Sequence, residues 1–385
     1  MNIKIHRGQN QIGGNIVEIS SKCTRILLDV GLDLNEKNNE KLPDIPGLFD
    51  DKGYDAVLIS HYHSDHIGLA YFINKEIPLY MGEESFKIIK ASDNYKRAET
   101  LSPKGFLKHK IPIFIGDITI TPFLCDHSAY DSYMLLCESY GQRVLYTGDF
   151  RSNGRKSYSR LLNELPSKID KLICEGTTLS RKGYVNETER SLEEKAVKMF
   201  EKTQGPIFIL QSSMNIDRIV TMYRAAKRNN RIFLQDLYMA EITSSIGNSI
   251  PSPAFDDVFA FITNSSRYEG LCKHKNKVGK DFIKKSNFVM CVRTSMLKYL
   301  QGLAKLMSFD DGLLVYSFWS GYKETEEMQY FMRSLKDLGL NIVTLHTSGH
   351  GNEKAIKELI ARVNPGEIIP IHTENPEWFK NRNNF

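Results

Sequence analysis

The sequence predicts an α/β (α+β) protein in which two packed β-sheets with outer helices are interrupted by an inserted parallel α/β domain. Short apolar and β-branched runs, separated by Gly, Asn and Asp, fill the first third of the 385-residue chain. Apolar runs then alternate with helical patterns, which is typical of parallel strands joined by helices. A βαβ pattern returns near the C-terminus. The expected domains are therefore 1–178 together with 331–385, and an insert of 179–330.

The first domain is predicted mainly from strand patterns. The strand candidates are Ile3–Ile5, Asn15–Ile19, Thr24–Leu28, Ala56–Ile59, Ile111–Ile115, Ile118–Leu124, Tyr133–Cys137 and Val144–Tyr146. Turn residues such as Gly13 and Gly14 separate these runs. A helix is expected over Ile67–Ile73, directly after a polar loop.

The insert and the C-terminal part show alternating patterns. Helices are expected over Glu187–Thr203, Met214–Lys227, Leu237–Gly247, Glu324–Leu338 and Glu353–Val363. Strands are expected over Pro206–Leu210, Ile232–Leu234, Asn287–Cys291, Gly312–Tyr316, Ile342–Leu345 and Glu367–Ile371. This alternation favours one parallel sheet in the insert.

Composition excludes several classes of protein. No stretch approaches the ~20 apolar residues that a membrane-spanning helix needs, and the first residues lack the apolar core of a signal peptide. The six cysteines are scattered without a CxxC pair, which favours a reducing, cytoplasmic location over a disulfide framework. Nothing in the pattern decides the oligomeric state, so a homo-oligomer stays open.

The net charge of +5 permits a polyanionic partner without requiring one. Basic residues concentrate in two groups, one from Arg267 to Lys285 and one from Arg218 to Arg231. Either group could neutralise phosphates. Each could equally be the solvated face of an ordinary surface element.

The strongest local signal is the sequence HYHSDH at residues 61–66, which follows an apolar run. Side chains alternate in an extended segment, so His61 and His63 can face one site. Asp65 and His66 follow on the same loop. Three imidazoles and a carboxylate this close together suit a pair of divalent cations. A His-rich surface turn is the alternative, and the preceding buried-looking strand disfavours it.

Further candidate ligands stand where apolar strands end. His127 follows a strand in FLCDHS, and Asp149 ends another in LYTGDF. His372 follows Ile368–Ile371 near the C-terminus. Taken singly, each residue is more often an ordinary buried histidine or turn aspartate. Their shared position just beyond a strand makes them candidates to complete the site.

The HYHSDH loop, His127 and the TGD sequence at 147–149 resemble the signature of the metallo-β-lactamase superfamily. The resemblance implies an αββα sandwich that holds two divalent ions, expected to be zinc, although such ligands also accept manganese. By this resemblance one ion is bound by His61, His63 and His127, the other by Asp65 and His66, and both by Asp149. Asp29 matches a residue that supports the site from outside.

Three later motifs resemble those of the β-CASP group of nucleases. They are ICEGTT with Glu175, HTSGHG with His350, and PIHTE with His372, in the expected order around an insert. The resemblance implies that His372 completes the second metal's ligands. It assigns catalytic roles to Asp65, to His350 as general acid, and to Glu175 as the residue that orients His350.

The same resemblance indicates single-stranded RNA as the substrate, because RNA-processing members usually carry histidine at the position of His372. Within the group, HTSGHG most resembles ribonuclease J. His346, Thr347, Ser348 and Gly349 would then hold a substrate phosphate. The match covers the catalytic core only, without the C-terminal domain of ribonuclease J. By this resemblance the insert would form a channel for the strand, where Tyr268, Phe318 and Trp319 could stack on bases or pack in the core.

The sequence alone leaves several other functions open. A small-molecule or thioester hydrolase of the same superfamily would use the same metals, but would not need Glu175, His350 and His372 together. A DNA nuclease, or a nucleic-acid-binding protein that has lost catalysis, are further alternatives. Whether cleavage is endonucleolytic, 5′-exonucleolytic or both is not decided by the sequence.

Overall fold

The computed structural model describes residues 1–34, 42–181 and 187–381. The strands are β1 (Asn2–Arg7), β2 (Ile16–Ser20), β3 (Arg25–Val30), β4 (Ala56–Leu58), β5 (Leu79–Gly82), β6 (Gly105–Leu107), β7 (Ile113–Ile115), β8 (Ile118–Cys125), β9 (Ser132–Ser139), β10 (Gln142–Tyr146), β11 (Lys171–Glu175), β12 (Ile207–Leu210), β13 (Ile232–Asp236), β14 (Val258–Phe261), β15 (Phe288–Val292), β16 (Leu313–Tyr316), β17 (Asn341–Thr344) and β18 (Glu367–Ile371). The helices are α1 (Ser64–Ile67), α2 (Glu83–Lys96), α3 (Tyr158–Glu164), α4 (Glu189–Lys202), α5 (Ile216–Arg228), α6 (Leu237–Ser245), α7 (Tyr268–Cys272), α8 (Lys280–Ile283), α9 (Leu297–Ala304), α10 (Glu326–Asp337) and α11 (Glu353–Val363). Among the helices described, none combines the length and the apolar character that crossing a membrane requires.

The chain divides into two compact units. Unit 1 comprises Met1–Asn186 and Gly349–Phe385, and unit 2 comprises Glu187–Ser348. The sequence instead predicted an insert of 179–330. The second boundary lies later because β17 pairs in parallel with β16 and so joins the sheet of unit 2.

Unit 1 contains two sheets of six strands. The first has the order β1-β2-β3-β4-β5-β6, and the second has the order β18-β11-β10-β9-β8-β7. Apolar side chains from both sheets form one buried cluster, which includes Val17, Leu28, Ile120 and Leu135. A second cluster places α3 and α11 on the other face of the second sheet. The predicted sheet-on-sheet core with outer helices is confirmed.

Unit 2 is built on one sheet in which every pairing is parallel, with the order β14-β13-β15-β12-β16-β17. Its strands are short apolar runs, and four of them (β12, β15, β16 and β13 after its first residue) are fully buried, as expected where helices cover a parallel sheet. Helices α9 and α10 pack on the sheet through a cluster that includes Leu300, Phe331 and Leu335. The predicted parallel α/β insert is confirmed.

Helices α1 and α2 are two of the places where the local predictions differ from the structure. The helix expected over Ile67–Ile73 is a single turn, α1, that ends at Ile67 and is followed by turns. The turn begins earlier because Ile67 N and Gly68 N donate to the carbonyls of His63 and Ser64. Helix α2 was not predicted at all. Its apolar face is interrupted by buried polar residues such as Ser92 and Asp93, which weaken the helical hydrophobic pattern.

A buried carboxylate in the first sheet predicts acid sensitivity. Glu18 accepts hydrogen bonds from Arg25 Nε at 2.9 Å, from Tyr54 at 3.0 Å and from His6 at 2.9 Å. Burial by itself raises the pKa of Glu18, but the hydrogen bonds from these three groups outweigh it and lower the pKa to about 2. Glu18 therefore stabilises the fold above its ordinary pKa of 4.5, and this contribution is lost as the pH falls from 4.5 through about 2.

We expect Glu18→Gln to reduce the stability of unit 1 by about 2 kcal/mol near neutral pH. The difference from the unchanged protein should shrink as the pH falls toward 3. Thermal unfolding between pH 3 and 7 measures this, with Glu138→Gln as the control because Glu138 forms a partly exposed ion pair with Arg143 in the same unit. If the difference in stability between Glu18→Gln and the unchanged protein does not change with pH, the lowered pKa of Glu18 is contradicted.

Candidate metal centre

The centre is built on the loop that follows β4. His61 and His63 alternate along this extended loop, and Asp65 and His66 lie in α1. The loop packs tightly on the chain after β3, because a Cβ atom at Gly31 would lie 1.7 Å from the Asp65 carbonyl oxygen. Only glycine permits this approach, so the DVG sequence fixes the position of Asp65.

His61, His63 and His127 form the first group of candidate ligands. Their ligand atoms lie within 4.8 Å of one another, and His127 Nε2 is 3.1 Å from His63 Nδ1. His127 comes from the loop after β8, and its Nδ1 donates to the Gly349 carbonyl at 2.5 Å. That bond leaves the lone pair of Nε2 available toward the other two rings.

Asp65, His66 and His372 form the second group, again with ligand atoms within 4.8 Å of one another. His372 Nε2 lies 3.1 Å from Asp65 Oδ2, and His66 Nε2 lies 3.9 Å from the same oxygen. His372 follows β18 with a φ of 50°, a left-handed conformation that is uncommon outside glycine. Such strain is typical of functional positions.

Asp149 lies between the two groups. Its Oδ2 is 3.8 Å from His61 Nε2 and 3.9 Å from His127 Nε2 on one side. It is 3.2 Å from His66 Nε2 and 3.8 Å from His372 Nε2 on the other. One carboxylate within reach of ligands from both groups is the arrangement that a shared, bridging ligand requires.

Asp29 supports the centre from outside. Its carboxylate accepts hydrogen bonds from His66 Nδ1, from the Ser60 hydroxyl and from the Tyr146 hydroxyl, each at 2.7 Å. Asp29 is fully buried and has a φ of 59°. The bond to His66 fixes the orientation of that ring and leaves its Nε2 facing Asp149.

Thr177 is a supporting residue that the sequence did not single out. Its hydroxyl donates to Glu175 Oε2 at 2.7 Å, and it lies 2.7 Å from His372 Nδ1. Since its only proton goes to the carboxylate, Thr177 Oγ1 accepts from His372 Nδ1–H. The Nε2 of His372 then carries the lone pair that faces Asp65. Thr177 thus sets the tautomer of a candidate ligand.

We expect Thr177→Val to weaken metal binding in the second group by about 10- to 100-fold, because the ring of His372 loses the partner that orients it. Competition with a chromophoric zinc chelator measures the affinity. The matched control is Thr178→Val, since the Thr178 hydroxyl is also buried but donates to the Gly351 carbonyl. Equal affinities in the two variants would contradict this role.

His350 and Glu175 form a pair beside Asp149. His350 Nδ1 lies 3.3 Å from Glu175 Oε1 and 3.6 Å from Asp149 Oδ2. Glu175 is fully buried and also accepts from the backbone N–H groups of Phe150 and Thr177, each at 3.1 Å. The carboxylate is therefore held in place, whereas the His350 side chain is 21% exposed and accessible to a substrate.

Burial sets the protonation of the first group. It lowers the pKa of His61, His63 and His127, that of His63 to about 4, because imidazolium loses its hydration in the interior. These rings are neutral near pH 7, which is the form that binds a cation.

Opposite charges decide the protonation of the remaining groups. Burial raises the pKa of Asp65 and Asp149, but neighbouring imidazoles, those of His372 and His66 foremost, outweigh it and hold both pKa values below the ordinary range. Burial lowers the pKa of His350, but the Glu175 and Asp149 carboxylates outweigh it and raise that pKa above its ordinary value. Both aspartates are therefore anionic near neutral pH.

The residues fit a divalent metal. His61 Nε2 and Asp149 Oδ1 are buried and have no hydrogen-bond partner among the described residues. Such groups normally carry a free-energy cost that a ligand removes. Imidazoles and carboxylates are the donors that zinc and similar ions prefer. The centre is therefore a site for divalent metal binding.

The four residues predicted to hold a substrate phosphate fall on both sides of a unit boundary. His346, Thr347 and Ser348 end unit 2, and Gly349 begins the second segment of unit 1. The Thr347 hydroxyl donates to the Glu187 carbonyl at 2.5 Å, and the Gly349 carbonyl accepts from a candidate metal ligand. Phosphate binding by these residues stays a prediction.

Two segments of the chain match known domain models, and its sequence is similar to that of named ribonucleases. Residues 24–211 match the model of the β-lactamase superfamily domain, and residues 326–379 match that of the Zn-dependent metallo-hydrolase RNA specificity domain. Ribonuclease J of Sinorhizobium meliloti is 22% identical over 363 residues, which cover 86% of this chain and 60% of the relative. Ribonuclease J of Helicobacter pylori is 25% identical over 242 residues, which cover 58% of this chain and 34% of the relative.

A solved structure has the same fold. The crystal structure of a protein of unknown function from Enterococcus faecalis superposes with a TM-score of 0.80, at 21% identity, over 97% of this chain and 94% of that one. The resemblance seen in the motifs is thus supported by two domain models, by the named relatives and by the fold. Residues 24–211 of this chain therefore form a β-lactamase superfamily domain and residues 326–379 a Zn-dependent metallo-hydrolase RNA specificity domain, in agreement with the resemblance that the motifs show.

Proposed function

We propose that this chain is a metal-dependent hydrolase that cleaves phosphodiester bonds of single-stranded RNA. Similarity to the RNA specificity domain and to relatives named ribonuclease J supports an RNA substrate. The observation that carries the proposal is the pair of Glu175 and His350 at 3.3 Å, placed beside the shared Asp149. A thioester or small-molecule hydrolase of this superfamily has no need for such a pair.

Two metal ions, zinc in the first place and manganese as the alternative, would be held by the residues already described. His61, His63 and His127 would hold one ion, Asp65, His66 and His372 would hold the other, and Asp149 would be a ligand to both. Ions held in this way lower the pKa of a water molecule and stabilise charge on phosphoryl oxygens.

His350 is the group that donates a proton to the departing 3′ oxygen. Glu175 holds its ring through Nδ1, which leaves Nε2 as the donor toward the substrate. The carboxylate also favours the protonated ring, which a general acid requires. Asp65 contributes as a ligand of the second ion, with its Oδ2 beside the Nε2 of His372.

The basic residues of unit 2 differ in what they offer to RNA. Arg218 is fully buried and pairs with Glu189 at 2.9 Å, and Arg231 is buried against backbone carbonyls. The exposed Arg224 and Arg228 pair with acidic residues of α4. Two arginines of this group are therefore buried away from an RNA strand, and the exposed ones are paired with carboxylates. The group from Arg267 to Lys285 remains a candidate.

The test is a time course with RNA labelled at either end and carrying a 5′-monophosphate or a 5′-triphosphate. Release of short fragments from 5′-monophosphate RNA alone indicates 5′-exonuclease action, and internal cuts in both substrates indicate an endonuclease. A matched DNA strand tests the DNA nuclease alternative. Absence of RNA cleavage by the metal-loaded protein, with turnover of a thioester substrate, would overturn the proposal. The cytoplasmic location and the oligomeric state stay predictions.

A further inference from the structure

The sheet of unit 2 has a point where the direction of its connections reverses. Strands β15 and β12 are neighbours, but β12 continues through α5 to β13 on one side, and β15 continues through α9 to β16 on the other. Right-handed crossovers in opposite directions place α5 and α9 on opposite faces of the sheet. The loops that follow the two strands therefore diverge, and in parallel sheets ligands bind in such crevices.

Polar side chains occupy this edge. Gln211 follows β12 and Arg293 follows β15, each one residue beyond the paired positions Leu210 and Val292. Gln211 is fully buried, and its amide donates to the sulfur of Cys291 at 3.7 Å. Its carbonyl oxygen Oε1 has no hydrogen-bond partner within the described part of the chain. The side-chain NH₂ of Gln211 therefore contacts β15, whereas its Oε1 accepts no hydrogen bond from the described residues.

Two donors near Gln211 are also unused. Ser213, in the loop that leads into α5, is 3% exposed, and its hydroxyl has no partner among the residues the structure describes. Arg293 Nε is buried and equally without a partner. Each buried polar atom left in this state carries the full cost of its lost hydration. Three of them along one edge of a sheet indicate a place that a polar ligand fills.

Arg293 is held in position while its Nε stays available. Its Nη2 donates to Asp236, the last residue of β13, and its guanidinium lies 4.9 Å from the centre of the Tyr238 ring. The Arg293 side chain as a whole is 29% exposed although its Nε is buried, so a ligand would approach Nε along the exposed part of this side chain. A guanidinium that is fixed by an ion pair and an aromatic ring is well suited to bind a phosphate.

We propose that the crevice between the loops after β12 and β15 binds one nucleotide of the RNA strand. The phosphate accepts hydrogen bonds from Arg293 Nε and the Ser213 hydroxyl, close to the N-terminus of α5. A ribose hydroxyl or a base N–H donates to Gln211 Oε1. An acceptor beside two donors matches a nucleotide better than a simple anion, which offers only acceptors when fully ionised. This inference rests on the proposed function, since it specifies where that substrate is held.

The experiment measures binding of a phosphorothioate-linked RNA decamer, which resists cleavage, to the metal-loaded protein by fluorescence anisotropy at several salt concentrations. The key comparison is between Asp236→Asn and the double variant Arg293→Met/Asp236→Asn. Removing Arg293 alone would leave the buried Asp236 carboxylate unpaired, and the Asp236→Asn change in both variants avoids this. Loss of Arg293 should raise Kd about 10-fold and reduce the salt slope by about one. Gln211→Leu should raise Kd about 5-fold at an unchanged slope.

Arg224→Met is the control, because Arg224 is an exposed arginine of the same unit that pairs with Glu193. It should change Kd less than twofold, and thermal unfolding should show that every variant is folded. Competition by uridine monophosphate but not by inorganic phosphate would support recognition of a nucleotide. If the double variant binds the decamer like Asp236→Asn while the unchanged protein cleaves RNA, the crevice is refuted and the proposed function stands. If the unchanged protein neither binds nor cleaves RNA, both fail.

Discussion

Replacing Asp149 with alanine is expected to leave fewer than two metal ions per chain and to lower RNA cleavage by at least about 10³-fold. Asp149 Oδ2 lies within 3.2 to 3.9 Å of imidazole nitrogens from both candidate ligand groups. Removing it takes a ligand from each metal and the negative charge that offsets them. No other carboxylate shown by the structure contacts both groups in this way.

Elemental analysis of the purified variant, together with the end-labelled RNA assay, measures the two effects. Asp131→Asn is the matched control, because Asp131 is also a buried aspartate of unit 1 but accepts from the backbone N–H groups of Glu84 and Ser85. It should retain both metals. Two tightly held metals in Asp149→Ala would refute its assignment as the shared ligand.

The sequence was most informative where chemistry is local. The loop from His61 to His66 carries four candidate ligands on six residues, and alternation along an extended segment is enough to place His61 and His63 on one side. His127, Asp149 and His372 were found by a weaker rule, that functional side chains follow strands. The structure brings all seven residues into adjoining groups. Their roles as ligands still rest on the resemblance and await the metal measurements.

The sequence was less informative where function depends on contacts between distant residues. Thr177 and His372 are joined by a hydrogen bond across 195 residues, and nothing in a local pattern reveals it. Arg218 looked like part of a basic surface, but a pairing with Glu189 across 29 residues buries it. Charge along a helix does not show which face packs against a neighbouring element.

The second domain boundary shows the same difficulty. The pattern from Ile342 onward is a strand, a helix and a strand, which a local reading assigns to one βαβ unit. In the structure β17 pairs with β16 in unit 2, whereas β18 pairs with β11 in unit 1. The chain changes unit between Ser348 and Gly349, within the HTSGHG sequence itself. Apolar alternation predicts that a strand forms, but not which sheet it joins.

His350→Ala is expected to keep both metals and to lower RNA cleavage by about 10²- to 10⁴-fold, the usual contribution of a general acid. His350 contacts Glu175 and Asp149, but it is not among the three imidazoles of the first group or the two of the second. Its loss should therefore remove a proton donor and leave the metal ligands in place. Single-turnover cleavage and elemental analysis on the same preparation separate these effects.

The matched control is His109→Ala, because His109 also pairs with a glutamate, Glu164, at 2.9 Å but lies outside the centre. It should cleave RNA at the rate of the unchanged protein. Added imidazole should partly restore cleavage to His350→Ala, since a small acid can occupy the space left by the ring, and a merely structural role for His350 would not give this rescue. Undiminished cleavage by His350→Ala would remove it as the acid. Loss of a metal from that variant would instead make it a ligand, as its position among Asp149, Glu175 and His372 allows.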